Sequence, residues 1–452
     1  MRILTEQEVR RGLRISVGEG VFATLYVTLA GGMFLTGLAL YLGANSFQIA
    51  LLTAIPALVT GFSFLAGILA RRVGTRKWLF IGTAGLGRAV FVVLVPLLLL
   101  QTKVSLSLFF AVVAVSSVLM TLAGTLWTSW MSELVPEERR GRFFGTRNAI
   151  LGGIGVFIAY GAGRGMDFLK SIGHEQLGYG LAFGYAVLFG LASTILLFWQ
   201  PEPGLRPRPK TGLRELFFGP LKEKQFRRLT VFLAAYFLTG TLASPFYLVH
   251  LLKNLEFPFA TVGVYSIIGG VIGVPFQLFW GRMIDQFGSR PVAIFNFAFV
   301  GIMPWLWLLA TPSFHLPIWL DAVANGILWS GASLGLWNLL LELADNPARR
   351  ESYFAIYTVV TGLCVFAAAM LSGVIAQALH GFRVTIFGHT FVNYHLLFFA
   401  AGLARFLVLP LLMRVEEQGS RSVRRSARVL SNWALWRMNV GRDMLRRPFF
   451  RR

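Results

Sequence analysis

The stretch GILARRVGTRK, residues Gly67–Lys77, returns 214 residues later as GRMIDQFGSRP, residues Gly281–Pro291. Each copy joins two long apolar segments and keeps a glycine, a second glycine seven residues on and an arginine two residues beyond that. Glycines allow a tight turn where antiparallel membrane helices meet, and arginines face water and lipid headgroups. The repeat therefore indicates a membrane protein built from two similar halves.

The composition supports a polytopic membrane protein. The chain has 452 residues, of which 56% are hydrophobic and 14% charged, with a mean hydropathy of +0.65. Its apolar runs suffice for twelve spans of about 20 residues. The predicted spans are residues 16–42, 47–70, 77–101, 104–130, 143–165, 178–199, 229–253, 259–281, 291–311, 316–341, 352–378 and 390–413. We expect an all-α membrane bundle in which two six-helix halves surround a central cavity.

The placement of the basic residues predicts the topology. A net charge of +22 would suggest nucleic acid in a soluble protein, but 35 of the 42 Lys and Arg lie on one side of the predicted spans. By the positive-inside rule, both termini are cytoplasmic in a plasma (inner) membrane, and we expect no nucleic acid partner.

Several function classes find no support in the sequence. Cys364 is the only cysteine, the six histidines show no paired metal-ligand spacing, and no phosphate-binding loop or dinucleotide motif is present. Residues 1–14 are charged and precede a full-length apolar run, so helix 1 is expected to be an uncleaved anchor. We therefore expect no metal, no cofactor and no ATP-driven step within this chain.

A second repeat has nearly the same offset. WTSWMSELVPEERRGRFFG begins at Trp127 and WNLLLELADNPARRESYFA at Trp337, and each has an Arg-Arg pair that ends thirteen residues after its Trp. The predicted organisation is an N-terminal half at 1–199, a basic cytoplasmic linker at 200–228, a C-terminal half at 229–413 and a basic cytoplasmic tail at 414–452.

With these features the chain resembles the major facilitator superfamily. The family's loop signature, Gly-x-x-x-Asp-x-x-Gly-x-Arg, is complete in the C-terminal copy, whereas Arg71 replaces the Asp in the N-terminal copy. The resemblance implies a gate on the cytoplasmic side. Its expected members are Gly67, Gly74, Arg76, Gly281, Asp285, Gly288, Arg290 and Arg350. Because the N-terminal copy lacks this acid, it is open whether the N-terminal half of the gate locks in the usual way. Asp285 of the C-terminal copy is expected to contact Arg349 or Arg350.

The resemblance also implies that helices 1, 4, 7 and 10 line the central cavity. On helix 10, polar and aromatic residues recur every four positions and form one stripe, which is either a cavity wall or an interhelical hydrogen-bond seam. The other three helices carry further polar residues at helical spacing, which fit packing as well as ligand contact. The candidate cavity residues are Glu19, Tyr26, Ser117, Thr121, Tyr236, Asp321, Asn325, Trp329 and Ser333.

Few charges lie inside the predicted spans, and each is a functional hypothesis because an unpaired charge in hydrocarbon is unfavourable. Asp321 is the first candidate for proton coupling, since burial raises the proton affinity of a carboxylate, and Glu19 is the rival. Arg88 and Arg405 have either a cavity role or a structural pairing.

The tail beyond Arg414 carries apolar residues at helical spacing among arginines. We expect a basic amphipathic helix around residues 430–447 on the anionic inner leaflet, with disorder as the alternative. A shorter interfacial helix is predicted in the linker near residues 213–221.

These features together predict a monomeric secondary transporter that works by alternating access. Aromatic residues with few charges favour a small, neutral or amphipathic solute, and proton coupling is a further expectation. One alternative is a lipid flippase or scramblase on the same fold. A lipid-modifying membrane enzyme is disfavoured, because the outward loops are short and carry no catalytic cluster. The expected partners are a small-molecule or lipid-like substrate and membrane lipids.

Overall fold

The computed structural model describes residues 4–136, 139–204, 219–344, 350–386 and 389–417. The predicted tail helix lies outside these ranges, as does nearly all of the predicted linker helix, of which only a 3-10 turn at Pro220–Lys222 is described. The other spans can be compared directly with the prediction.

The N-terminal half contains helices 1 to 6, several of them built from two or three segments. Helix 1 is Glu6–Ala30 and Gly32–Tyr41, helix 2 is Ser46–Gly61 and Phe64–Val73, helix 3 is Lys77–Ala89, Val90–Val93 and Val95–Leu99, helix 4 is Leu106–Leu134, helix 5 is Arg140–Ser171, and helix 6 is Glu175–Leu196 and Leu197–Trp199.

The C-terminal half repeats this arrangement in helices 7 to 12. Helix 7 is Lys224–Thr241, Ser244–Phe246, Tyr247–Val249 and His250–Asn254, helix 8 is Phe259–Phe287, helix 9 is Ser289–Val300 and Met303–Leu306, helix 10 is Leu316–Leu343, helix 11 is Arg350–Ala378, and helix 12 is Asn393–Met413. In the described ranges, ten helices and the bent pair of helix 2 are long and apolar enough to cross a membrane. Helix 10, with 28 residues packed against helices 8 and 9, completes the twelve.

Besides helix 2, four helices that the sequence presents as continuous spans are broken, and these four breaks repeat between the halves. Helix 1 ends its first segment at Ala30 and helix 7 at Thr241, while helix 3 does so at Ala89 and helix 9 at Val300. Both pairs are separated by 211 residues. A Gly-Gly pair in helix 1 and prolines early in the later segments of the other three explain the breaks, because proline cannot continue the hydrogen-bond ladder.

The two halves pack together from one end of the bundle to about its middle, where Gly61 of helix 2 meets Gly362 of helix 11. We call the end where helix 1 begins and helix 12 ends the terminal face, and the opposite end the loop face. Near the loop face, a side chain added at Gly163 of helix 5 would lie 2.8 Å from the backbone of Ala260 in helix 8. There the Ser46 amide of helix 2 also donates to Oε1 of Gln377 in helix 11, at 3.1 Å.

The buried apolar residues follow the same division. The largest cluster combines residues of both halves around Phe34, Tyr179 and Phe259 near the loop face. The clusters nearer the terminal face each belong to one half. The described residues thus form a bundle that is closed at the loop face and divided at the terminal face.

A short antiparallel hairpin precedes helix 12. Strand β1, Arg383–Ile386, pairs with strand β2, His389–Val392, and Thr385 lies opposite Thr390. From the sequence we expected residues 390–392 to begin the twelfth span, and this boundary is wrong because they form strand β2. The alternating threonines, valines and isoleucine are a strand pattern that was too short to separate from the neighbouring span.

Candidate functional site

A cavity of about 300 Å³ lies inside the C-terminal half, where the breaks in helices 7 and 9 face helix 10. Its described walls come from helices 7 to 12 and combine aromatic rings with two opposite charges. They are Tyr236, Phe237, Gly240, Thr241, Ser244, Tyr247, Tyr265, Met303, Trp307, Asp321, Asn325, Trp329, Val365 and Arg405. Broken helices around a cavity at membrane depth are a feature of substrate sites in transporters.

Asp321 provides the negative charge of this cavity. Its side chain is 2% exposed, and the Tyr265 hydroxyl of helix 8 donates to its Oδ2 at 2.6 Å. Helices 8 and 10 approach closely here because Gly326 carries no side chain, and an added Cβ would lie 2.5 Å from the carbonyl oxygen of Gly269. Among the described residues, no Lys, Arg or His lies within ion-pair distance of Asp321.

Arg405 provides the positive charge and binds the two helix breaks. Its Nη2 donates to the carbonyl oxygen of Gly240, next to the end of the first segment of helix 7, at 3.1 Å. Its Nη1 donates to the carbonyl oxygen of Val300, the last residue of the first segment of helix 9, at 3.0 Å. A guanidinium suits these positions because helix ends present unpaired carbonyls with partial negative charge.

A second cavity of about 310 Å³ continues from the first toward the terminal face. The two cavities share Tyr236, Phe237 and Trp329 as walls, and the second also contacts Ser333 and Leu340. Of the predicted cavity residues, Tyr236, Asp321, Asn325 and Trp329 therefore share one cavity, and Ser333 lines its neighbour. All described walls of both cavities belong to the C-terminal half, although from the sequence we expected the cavity between the halves.

Glu19 lies elsewhere, in a buried ionic cluster of the N-terminal half. Its Oε1 is 3.3 Å from Nη2 of Arg88 and its Oε2 is 3.6 Å from Nη2 of Arg147, while the Ser193 hydroxyl donates to Oε1 at 2.9 Å. The guanidinium of Arg147 lies against Gly20, where an added side chain would displace it. The structure thus places Glu19 between two guanidinium groups rather than beside Asp321.

The remaining predicted cavity residues line none of the described cavities. The Tyr26 hydroxyl donates to the carbonyl oxygen of Gly87 at 3.4 Å, and Ser116 donates to the same oxygen at 2.8 Å, just before the break in helix 3. Ser117 and Thr121 of helix 4 are half-buried. Neither borders the Asp321 cavity or its neighbour.

Between the halves, the described residues of helices 5 and 8 border a groove of about 870 Å³. Its described walls are mainly apolar or glycine, and they include Gly152, Gly153, Val271 and Val274. The groove opens where the two helices diverge from their contact at Gly163. A Cβ at Gly152 or Gly153 would meet open space, whereas Gly163 of the same helix allows the close contact with helix 8.

The repeated loops form matching carboxylate contacts at the terminal face. Gly74 ends helix 2 with φ of +79°, and the amides of Arg76 and Lys77 at the start of helix 3 donate to Oε1 of Glu202 at 2.6 and 3.1 Å. Arg76 is 2% exposed, and its Nη2 is 2.7 Å from Oε2 of Glu133.

The C-terminal copy repeats the backbone contacts. Gly288 has φ of +96°, and the amides of Ser289 and Arg290 donate to the two carboxylate oxygens of Glu417 at 2.6 and 2.8 Å. The Ser289 hydroxyl also donates to Oε1 of Glu342 at 2.9 Å.

The gate contact predicted for Asp285 falls partly outside the described residues. Asp285 lies in the last turn of helix 8, while Arg349 and the side chain of Arg350 are not described. Gly67 lies within helix 2 and Gly281 within helix 8.

Sequence reasoning missed several residues that the structure brings together. Tyr265 and Trp307 lie on helices 8 and 9, which were not expected to contribute to the cavity. Glu202 and Glu417 were missed as well, although each begins a Glu-x-Gly sequence and their separation of 215 residues is close to the repeat offset.

Comparisons with known proteins agree with this architecture. The family model described as Major Facilitator Superfamily matches residues 20–369. Among curated proteins no sequence matches the chain. Several solved structures are similar in fold at low sequence identity.

Three of these structures show the extent of the likeness. A variant of the nucleoside transporter NupG is 13% identical with a TM-score of 0.68, and the match covers 89% of this chain and all of that one. The xylose transporter XylE from E. coli is 15% identical with a TM-score of 0.62, covering 92% and 100%. An inward-facing bacterial homologue of the human lysosomal transporter Spinster is 14% identical with a TM-score of 0.60, covering 91% and 95%.

These likenesses show the fold, and the family match extends over well more than half of the sequence. Both agree with the twelve helices in two similar halves. This integral membrane protein belongs to the major facilitator superfamily.

Proposed function

We propose that this protein is a secondary transporter that carries a small solute across the membrane by alternating access, with the Asp321 cavity as its solute site. The observation that carries the proposal is the convergence of two broken helices, a buried carboxylate and a buried guanidinium on one cavity inside the membrane. The halves are packed together in the part of the bundle nearer the loop face, a geometry that rocking of one half against the other could reverse.

We further propose that Asp321 carries the coupling proton. A carboxyl that meets water first from one side and then from the other can bind a proton on one side and release it on the other. Glu19 is less suited to this role, because its protonation would leave the buried Arg88 and Arg147 without a counter-charge.

The test compares the parent protein with Asp321→Asn in proteoliposomes that contain a pH-sensitive dye. The external solutes are a panel of nucleosides, sugars and small zwitterions. We expect a solute of this panel to evoke proton flux with the parent protein, and Asp321→Asn to abolish that flux while retaining solute exchange. Glu342→Gln, which alters a carboxylate at the terminal face, is the matched control. Solute-evoked proton flux in Asp321→Asn equal to that of the parent would exclude Asp321 as the coupling group.

The groove between helices 5 and 8 favours a second candidate, an amphipathic or lipid-like substrate. Its apolar walls lie between the two halves and belong to membrane-spanning helices, at the level of the lipid chains. Reconstitution with a fluorescent phospholipid tests this directly, since chemical quenching of the outer leaflet reports lipid movement. Lipid movement whose rate does not change with an imposed proton gradient would favour a scramblase over a coupled transporter.

We propose a plasma (inner) membrane location in which the terminal face is cytoplasmic and the transporter works as a monomer. The concentration of Lys and Arg in the loops and termini of that face supports this orientation. In that orientation the described conformation is open toward the cytoplasm.

A further inference from the structure

We propose that the Asp321 cavity binds a small zwitterion, with its cationic end among the aromatic rings beside Asp321 and its anionic end on Arg405. This inference rests on the proposed function and names the substrate class of the same site. It differs from the expectation of a neutral solute because nothing in the sequence places Arg405 and Asp321 in one cavity.

Arg405 is available to an anion. Its side chain is 7% exposed, and two of its five N–H groups are used on the carbonyls of Gly240 and Val300. Its Nε is buried and has no hydrogen-bond partner. In the described ranges, no Asp or Glu lies within ion-pair distance of this guanidinium. A buried guanidinium with free donors on a cavity wall is a binding site for a carboxylate or a phosphate.

Asp321 is available to a cation, and aromatic rings surround the same space. The Tyr247 and Trp307 ring centroids are 4.5 Å apart, and those of Tyr265 and Trp307 are 6.0 Å apart. Tyr236 and Trp329 close the opposite wall with centroids 6.3 Å apart. The faces of such rings attract cations and are the usual surroundings of quaternary ammonium groups in proteins.

The balance of charge selects a zwitterion over an ion of either sign. Asp321 and Arg405 line one cavity without forming an ion pair, so an anion alone would leave Asp321 without a counter-charge and a cation alone would leave Arg405 without one. An unpaired buried charge is strongly unfavourable, whereas a ligand with both charges satisfies both groups. The cavity volume of about 300 Å³ is at the low end for ligand sites, so the ligand is small.

Four probes of nearly equal shape separate these alternatives. Glycine betaine carries both charges, choline only the cation, and 3,3-dimethylbutanoate only the anion, because carbon replaces the quaternary nitrogen of betaine. The fourth probe, 3,3-dimethylbutanol, is uncharged. Binding of each to the purified full-length protein is measured by calorimetry and by the shift in thermal unfolding.

We expect glycine betaine to bind at least about tenfold more tightly than each of the other three, a difference equivalent to about 1.4 kcal/mol. Asp321→Asn should weaken the binding of betaine and choline but not that of 3,3-dimethylbutanoate, whereas Arg405→Lys should weaken the binding of the two probes that carry a carboxylate. Because Arg405 also holds two helix ends, the comparison of probes on the unaltered protein is decisive if Arg405→Lys fails to fold.

Equal binding of betaine and its carbon isostere would overturn the zwitterion proposal, as would the absence of binding by every probe at millimolar concentration. Flux of radiolabelled betaine into proteoliposomes then separates the transport proposal from the zwitterion proposal. Betaine binding without flux contradicts the transport proposal alone. Proton-coupled flux of an uncharged solute, with no preference for betaine, contradicts the zwitterion proposal alone.

Discussion

The hydroxyl of Tyr265 on helix 8 donates a 2.6 Å hydrogen bond to Oδ2 of Asp321 on helix 10. Tyr265→Phe removes this donor and keeps the ring, so we expect it to lower the free energy of unfolding by about 1–3 kcal/mol, the range for hydrogen bonds to buried charged groups. Thermal unfolding in detergent measures the change. The matched control is Tyr185→Phe, whose side chain is 55% exposed, and equal shifts for the two variants would contradict a special role for Tyr265.

Asp167 holds the two halves together at the loop face. Its carboxylate oxygens accept hydrogen bonds from the amides of Phe259 and Ala260 at 2.7 and 2.9 Å, at the start of helix 8. Caps of this kind are worth about 0.5–2 kcal/mol. Asp167→Ala should therefore shift the population by up to about 30-fold toward conformations open at the loop face, since about 1.4 kcal/mol corresponds to a factor of ten.

Distance distributions between spin labels on Ser171→Cys and Lys253→Cys, one on each half at the loop face, measure this shift. Cys364 is replaced by serine to leave only the two labels. Glu175→Gln is the control, since Glu175 lies at the same face and pairs with Lys170 of its own half at 3.9 Å. An unaltered distribution in Asp167→Ala would show that this contact does not hold the closed face.

The paired carboxylates at the terminal face should contribute to stability. Glu202→Gln and Glu417→Gln each remove a charge that accepts two backbone amides at a helix start, and each should lower the unfolding temperature measurably. The neighbouring Glu416 is a matched control, because it is exposed and pairs with Arg228 at 2.9 Å. Arg228 lowers the pKa of the Glu416 carboxyl, yet Glu416→Gln should change the unfolding temperature little.

The 35 basic residues that the sequence places on one side of the predicted spans predict the orientation of the protein in the membrane. Reporter fusions after Lys77, Lys210 and Arg452 should report the cytoplasm, and a fusion after Gly173 the opposite side. A fusion after Arg452 that reports the opposite side would contradict the even number of spans.

The sequence alone predicted the twelve helices because length and apolarity decide whether a segment spans a membrane. It also grouped Asp321, Asn325 and Trp329, since residues four apart lie on one helical face. The helix breaks were missed because a proline or glycine inside an apolar run indicates a kink no more strongly than a packing contact.

The partners of these residues could not be predicted in the same way. Arg405 reaches Gly240 and Val300 across three helices, and no periodicity within one helix records which helices adjoin. Glu19 had the same ambiguity, since its pairing with Arg88 and Arg147 depends on how helices 1, 3 and 5 pack.

The contacts of Glu202 and Glu417 have a consequence for how the gene could be divided. Each carboxylate follows the last helix of its half and binds the start of that half's third helix. Both partners of each contact therefore belong to the same six-helix half. Two polypeptides produced from separate reading frames, one ending after Gly204 and one beginning at Gly219, would each retain its own carboxylate contact. Complementation between two such fragments then depends on the contacts between the halves, at the loop face and along helices 2 and 11.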